Sequence, residues 1–232
     1  MTARVVIVGA GGLGGPLSLA LGAAGVELTI VDHDHVEISN LHRQIQFTTA
    51  DLGKAKASVL AGAIIARGGT ARGVVQQWTA ENADDLGADA DVIVDGCDDP
   101  VTKFAVTDWA VANGRSYVIA GALRYGGNVF AGAPGVACYR CLFEAPVEAP
   151  TCAEAGVLGP VVGAIGGVAA AIALGLIAND RTHAGALLAF DDLRKVAEPR
   201  IVRFAARRDC PTCARAPISP FAAHPVRVAE SS

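Results

Sequence analysis

A short apolar run that ends in a glycine-rich turn limits the possible folds of this chain more than any other feature. It reads Arg4-Val-Val-Ile-Val-Gly-Ala-Gly-Gly-Leu-Gly14. Residues 5–8 have the length and β-branched character of a buried strand. The run breaks at Gly9, and a helix is expected from about Leu13. Gly9, Gly11 and Gly14 stand at the G-x-G-x-x-G spacing, with Gly12 between them. That spacing supplies a tight turn, a close backbone approach to phosphate, and close packing of helix on strand. The start of the helix offers free N–H groups and partial positive charge to an anion. Asp32 ends the next apolar strand, 28–31, about where an acidic residue takes a ribose hydroxyl. Any α/β domain can carry a glycine-rich first turn. Asp32 at its expected place makes a nucleotide site the stronger reading.

Beyond this unit, strand and helix alternate. A helix is expected over 53–67, with Val59, Leu60, Ala63 and Ile64 on its apolar side. Strands are expected over 71–77 and 91–95, the latter entering the turn Gly96-Cys-Asp-Asp-Pro100. Pro100 suits the first turn of a helix running to about Asn113, and 116–122 reads as the next strand. The alternation predicts an α/β fold: a Rossmann-like, doubly wound, mostly parallel sheet covered on both faces. After Gly126 the pattern turns antiparallel. Residues 128–132 and 136–139 read as a hairpin, 142–154 as a loop, 156–178 as an apolar helix, and 186–190 and 200–204 as short strands. The chain thus divides into a nucleotide-binding half, 1–125, a second half of the same domain, 126–213, and an irregular tail, 214–232.

Two C-x-x-C pairs, Cys138-Tyr-Arg-Cys141 and Cys210-Pro-Thr-Cys213, each offer two thiolates to one corner of a tetrahedral site. Four sulfurs close a zinc coordination sphere and leave no position for water, so the metal would be structural. Two redox dithiols are the alternative. The N-terminus enters a strand at once, without the charged region and apolar core of a secretory signal, so a cytoplasmic protein is expected. In such a chain six cysteines point to metal or reactivity rather than to a disulfide framework. Cys152 lies just before the apolar helix and is either a nucleophile of depressed pKa or a packed thiol. Cys97 adjoins Asp98, which disfavours its thiolate, so it is expected to serve packing.

The composition leaves a membrane question open. Hydrophobic residues make up 52% of 232 residues, and mean hydropathy is +0.39. Residues 156–178 carry no charge and are long enough to cross a bilayer. Gly159, Gly163 and Gly167 would admit another backbone closely, in a bilayer or in a soluble core. A single span there would put the two cysteine pairs on opposite sides of the membrane, where they could not share a metal. The helix is therefore expected to be buried or to face another subunit. A net charge of −4 advertises neither nucleic-acid nor membrane binding.

A nicotinamide dehydrogenase would need little beyond the glycine turn and Asp32. ATP brings more negative charge and a divalent metal, so nucleotidyl transfer asks for cations and a carboxylate. Candidates lie on loops at the right places. Ser39-Asn-Leu-His-Arg-Gln44 follows the second strand, Gly53-Lys-Ala-Lys56 opens the next helix, and Asp98 lies beyond the carboxyl end of its strand. No G-K-[ST] phosphate loop is present, so these side chains would take the place of its lysine.

With these residues in view, the chain resembles the E1-like activating enzymes of the ThiF/MoeB/HesA family. The matching segments are Gly9 to Gly14, Val31-Asp-His-Asp34, Ser39 to Gln44, Gly53 to Lys56, Asp95 to Asp99, both cysteine pairs, and Cys152 to Gly163, in the family's order from residue 4 to 213. The resemblance implies binding of ATP and Mg²⁺ and adenylylation of the C-terminal glycine of a small ubiquitin-like sulfur carrier protein ending in Gly-Gly. It also implies sulfur supplied by a separate donor and a homodimer. On that reading Gly9, Gly11, Gly12, Gly14, Asp32 and Asp34 hold the nucleotide, and Arg43 and Lys56 meet phosphates with support from Asn40 and Gln44. Asp98 works with magnesium, the second half binds the carrier, and Cys152 takes part in sulfur or acyl handling in some members. Two departures stand out. Cys97 and Asp99 replace a threonine and an asparagine beside the catalytic aspartate, and Asp99 is expected to add negative charge near the metal. Only three residues precede Arg4, where the family carries a helical lead-in whose arginine reaches the partner's ATP. E1-like adenylylation of a small molecule or RNA, an NAD(P)-dependent oxidoreductase and a non-catalytic scaffold are the other readings.

Overall fold

A computed structural model describes residues 2–146 and 156–215. Eight strands form one sheet: β1 (Arg4–Val8), β2 (Glu27–Val31), β3 (Thr70–Val74), β4 (Val92–Asp95), β5 (Ser116–Leu123), β6 (Gly126–Gly132), β7 (Ala186–Phe190) and β8 (Arg200–Arg203). Their order is β3-β2-β1-β4-β5-β6-β7-β8. Pairing is parallel from β3 through β5 and antiparallel from β5 through β8. The expected doubly wound sheet with an antiparallel second part is the observed one.

The unbroken apolar run of β1 has a simple reason: both of its faces are covered. Successive side chains alternate, so Val5 and Ile7 enter one core and Val6 and Val8 the other. The first core lies under α1 (Gly14–Ala23), α2 (Lys56–Ile65) and α6 (Gly159–Ile177), which contribute Leu17 and Leu21, Leu60 and Ile64, and Val161 and Ile165. The second lies under α3 (Ala83–Gly87), α4 (Pro100–Ala112) and α5 (Tyr139–Leu142), where Phe104, Tyr117, Phe130 and Tyr139 form an aromatic cluster.

Helix α6 is the segment whose hydropathy raised the membrane question. It is long and apolar enough to cross a bilayer, yet it packs Val161, Val162, Ile165, Ala169 and Ala173 into the first core. The cysteine pairs before and after it in sequence meet in a single cluster. Its outer row, Pro160, Ala164, Gly167 and Ala171, is exposed.

The structure corrects four readings. Residues 136–139 are no strand. Strand β6 already has β5 on one side and β7 on the other, and the chain turns at Gly135 (φ +81°) before Tyr139 opens α5. Helix α2 begins at Lys56 rather than Gly53, because Gly53 is left-handed (φ +77°) and Ala55 bridges to His35. Strand β3 stops at Val74, leaving Gln76 and Gln77 free to line a cleft. Helix α3 was not expected; it is five residues long, too short for a periodic signal.

The turn after β1 closes at van der Waals limits. A Cβ on Gly14 would lie 1.8 Å from the Gly9 carbonyl oxygen, whereas one on Gly62 in α2 would meet nothing within 4 Å. Gly14→Ala is therefore expected to destabilise the fold by about 1–3 kcal/mol or more in urea denaturation, and Gly62→Ala to stabilise it by roughly 0.5–1 kcal/mol. Equal effects would contradict this description of the turn.

Candidate nucleotide site and cysteine cluster

A cleft of about 820 Å³ opens at the carboxyl ends of β1, β2 and β4. This is the switch point of the sheet: from β1 the order runs through β2 to β3 one way and through β4 to β5 the other. Ligands of open α/β sheets settle in that crevice. Gly9, Gly11 and Gly12 line it, as do Asp32, Asp34, Asn40, Arg43, Gln44, Lys56 and Asp98. Gly14 stands behind the turn, holding α1 against β1.

Asp32 is engaged with the turn itself. One carboxylate oxygen accepts from the Ala10 amide at 2.6 Å and the other from the Asp34 amide at 2.7 Å. Burial raises its pKa, and these two amides partly offset that rise. Lys56, at the first position of α2, is buried and donates to Asp34 at 2.9 Å. Against the penalty of partial burial, its ammonium holds Asp34 below the ordinary carboxylate range. Lys54, by contrast, is exposed and pairs with Asp51 at 3.2 Å. The early turn at Gly53 thus sends one lysine into the cleft and the other to solvent.

Arg43 is half-buried, and its guanidinium donates to the Asn40 side-chain oxygen at 2.5 Å and to the Ser39 carbonyl at 3.4 Å. Asn40 therefore orients Arg43. Gln44 is buried on the cleft wall, and its Oε1 has no partner among the described residues.

Asp98 is exposed and has no hydrogen-bond or ion-pair partner among the described residues. Asp99 also lines the cleft, and its carboxylate, held below the ordinary range against partial burial by the hydrogen bonds it accepts, has a second task. Its carboxylate accepts from the Val101 and Thr102 amides and from the Thr102 hydroxyl, so it caps α4. Cys97 donates its thiol to Asp95 at 2.8 Å, and burial pushes its pKa well above the ordinary value, as expected of a packing thiol.

Sequence reasoning missed three supports of the site. Lys103 lies under the Gly96–Asp98 turn and donates to Asp95 (2.6 Å) and to the Cys97 (2.7 Å) and Ala120 (2.8 Å) carbonyls. Burial opposes its charge, but the Asp95 carboxylate outweighs burial and raises the lysine pKa. The signal was present: Lys103 falls on the i, i+3, i+4, i+7 stripe with Val106, Thr107 and Ala110. Gln46 carries no such signal. Its side-chain amide donates to the Ala10 and Gly11 carbonyls at 2.9 and 3.0 Å and fixes the glycine turn from outside. The third support is an aromatic group of Phe104, Tyr139 and Phe143 that also lines the cleft.

All four cysteines of the two pairs converge, with sulfurs within 4.8 Å of one another. Cys138 lies 3.9 Å from Cys141 and 3.6 Å from Cys210, and Cys141 lies 3.3 Å from Cys213. Sulfurs about 2.3 Å from a tetrahedral zinc are roughly 3.8 Å apart, so the donor set fits that ion. Against burial, the backbone amides of Cys213 and Thr212 bring the Cys210 thiol down to about 7. Cys152 falls outside the described residues. Gly156–Leu158, beyond it, are held to the β5–β6 turn: the Arg124 amide donates to the Gly156 carbonyl, and the Leu158 amide to the Arg124 carbonyl.

These features define a doubly wound α/β domain with a cleft at its switch point, which gathers charged side chains and the glycine turn, and a four-cysteine cluster on its antiparallel half. The chain belongs to the ThiF family, whose model matches residues 1–212. It is 40% identical over 227 residues to the adenylyltransferase and sulfurtransferase MOCS3 of Sus scrofa, covering 93% of this chain and 49% of that one. It is 38% identical over 229 residues to the sulfur carrier protein adenylyltransferase of Thermus thermophilus, covering 93% and 83%. The chain spans about half the length of the MOCS3 relatives it matches. Among solved structures, Escherichia coli MccB with ATP shares the fold, with a TM-score of 0.78 at 21% identity over 91% of this chain and 67% of that one.

Removing Lys103 would leave Asp95, fully buried, without its charge partner. Lys103→Met is expected to lower stability in urea by about 3–5 kcal/mol, and adding Asp95→Asn to recover part of the loss. A loss under about 1 kcal/mol would show that the pair does not hold the turn.

Proposed function

We propose that this chain catalyses ATP-dependent adenylylation of the C-terminal glycine carboxylate of a small sulfur carrier protein. The observation that carries the reading is the convergence of Arg43, Lys56, the glycine turn and Asp98 on one cleft at the switch point. Gly121, Gly126 and Gly127 of β5 and β6 line the same cleft. Named adenylyltransferases at 38–40% identity point the same way.

In this reaction the ionised glycine carboxylate attacks the α-phosphorus of ATP. An acyl–adenylate forms and pyrophosphate leaves. No general base is needed, because the nucleophile is already deprotonated. The barrier is the approach of two anions: a pair of unit charges 4 Å apart repels by about 4 kcal/mol near a protein surface. Arg43, oriented by Asn40, and Lys56, partly neutralised by Asp34, set positive charge against that repulsion. Amides of the glycine turn take the phosphates, and Asp32 fixes that turn or accepts from the ribose. Asp98, exposed and without a partner among the described residues, is the residue that would hold magnesium, which supplies further charge neutralisation when bound. Zinc, held by Cys138, Cys141, Cys210 and Cys213, would serve structure alone. Sulfide-level sulfur from a separate donor then attacks the acyl carbon, the thiocarboxylate forms and AMP leaves, with Cys152 as the candidate for covalent handling. The protein acts in the cytoplasm as a homodimer, with a second copy covering the exposed row of α6.

The test is ATP–pyrophosphate exchange dependent on a carrier ending in Gly-Gly. Lys56→Ala and Asp98→Ala are each expected to lower exchange by roughly 10²–10³-fold. Unchanged exchange in both would remove these residues from the site. Light scattering at micromolar concentration is expected to give twice the chain mass, and a monomer would refute the homodimer.

A further inference from the structure

Helix α4 bears a carboxylate that takes no part in the cleft. Asp108 accepts from the Arg140 Nε at 2.6 Å through one oxygen and from the Arg140 Nη2 at 2.6 Å through the other. The first oxygen also accepts from the Thr212 hydroxyl at 2.7 Å. Arg140 lies inside the first cysteine pair, Cys138-Tyr-Arg-Cys141, and Thr212 inside the second, Cys210-Pro-Thr-Cys213. One side chain therefore grips an internal residue of both pairs, which lie far apart in sequence. The grip is stiff, since the Arg140 guanidinium meets the carboxylate as a fork and lies over the Phe104 ring, 4.6 Å from its centre. It also brings one positive charge beside four sulfurs, which as thiolates around a divalent ion would carry a net charge of −2.

We propose that Asp108 is a positioning residue for the metal site: by holding Arg140 and Thr212 together, it sets the two cysteine pairs at coordinating distance from outside the ligand shell. The inference rests on the zinc reading of the four cysteines. Without the carboxylate, the Arg207 amide on the Cys141 sulfur (3.4 Å) and the Tyr139 amide on the Tyr117 hydroxyl (3.1 Å) would remain, but the one carboxylate seen to bond an internal residue of both pairs would be gone. With it, the four sulfurs are gathered within 4.8 Å of one another. Outer partners of this kind typically change metal affinity by about 10–100-fold. Helix α4 also carries Lys103 and the Asp99 cap, so the same rod that anchors the cysteine pairs supports the turn bearing Asp98.

The test uses the full chain loaded with zinc and measures the rate of zinc loss to a chromogenic chelator, with metal content determined beforehand. Wild-type protein is expected to hold about one zinc per chain. Asp108→Ala and Thr212→Val are expected to release it about 10–100-fold faster, and Thr212→Ser, which keeps the hydroxyl, at close to the wild-type rate. Substitution with cobalt(II) gives a second reading: the sulfur-to-cobalt absorption bands should broaden or shift in Asp108→Ala and Thr212→Val but not in Thr212→Ser. Zinc bound in wild type but released at equal rates from all variants would overturn the role of Asp108. Wild-type protein without zinc would instead overturn the metal reading beneath it. Thr212→Val keeps the test decisive if Asp108→Ala fails to fold.

Discussion

The contact between Gly14 and the Gly9 carbonyl is the constraint on which the rest of this structure depends. It brings the first turn of helix α1 so close to the Gly9 carbonyl that no side chain fits at position 14. That closeness holds the glycine turn at the carboxyl edge of the sheet, at the switch point between β1 and β4. The turn is then fixed twice over, by the Asp32 carboxylate on the Ala10 amide and by the Gln46 amide on the Ala10 and Gly11 carbonyls. A helix start held this firmly offers oriented N–H groups to an anion without reorganisation.

Positive charge reaches the cleft from other elements. Lys56 comes from the start of α2 and Arg43 from the loop before it, and each is oriented by a nearby oxygen, of Asp34 and Asn40 respectively. No single lysine in a phosphate-gripping loop does this work. The positive charge comes from two segments, so the register of the β2–α2 connection matters. The left-handed turn at Gly53 and the His35–Ala55 bridge decide which lysine faces inward.

Much of this was legible in the sequence, because the relevant signals are local. The β1 run, the glycine spacing and Asp32 all express backbone geometry within about thirty residues. The two cysteine pairs announced a cluster because their chemistry is specific, even across the long helix between them. The supposed strand at 136–139 misled because a short apolar run before a C-x-x-C pair suits either a strand or a turn, and only the full occupation of both edges of β6 decides. Asp99 was legible only in part: an aspartate before proline at a helix start can cap as well as add charge to the cleft, and the hydrogen bonds from the Val101 and Thr102 amides add the cap. Gln46 and Asp108 could not be read at all. Their roles arise from contacts made far along the chain, 35 residues away from Gly11 in one case and 104 away from Thr212 in the other.

Helix α4 draws the two halves together. Its N-terminal turn supports the Gly96–Asp98 segment through Lys103, and Asp108 holds both cysteine pairs. The most direct measurement of the central claim, that dispersed side chains rather than one loop receive the phosphates, is a crystal structure with magnesium and a non-hydrolysable ATP analogue. The account predicts the α-phosphate against the glycine turn, with Arg43 and Lys56 within hydrogen-bonding reach of the triphosphate and the metal beside Asp98. A triphosphate bound elsewhere in the cleft, with neither Arg43 nor Lys56 in reach of it, would contradict it.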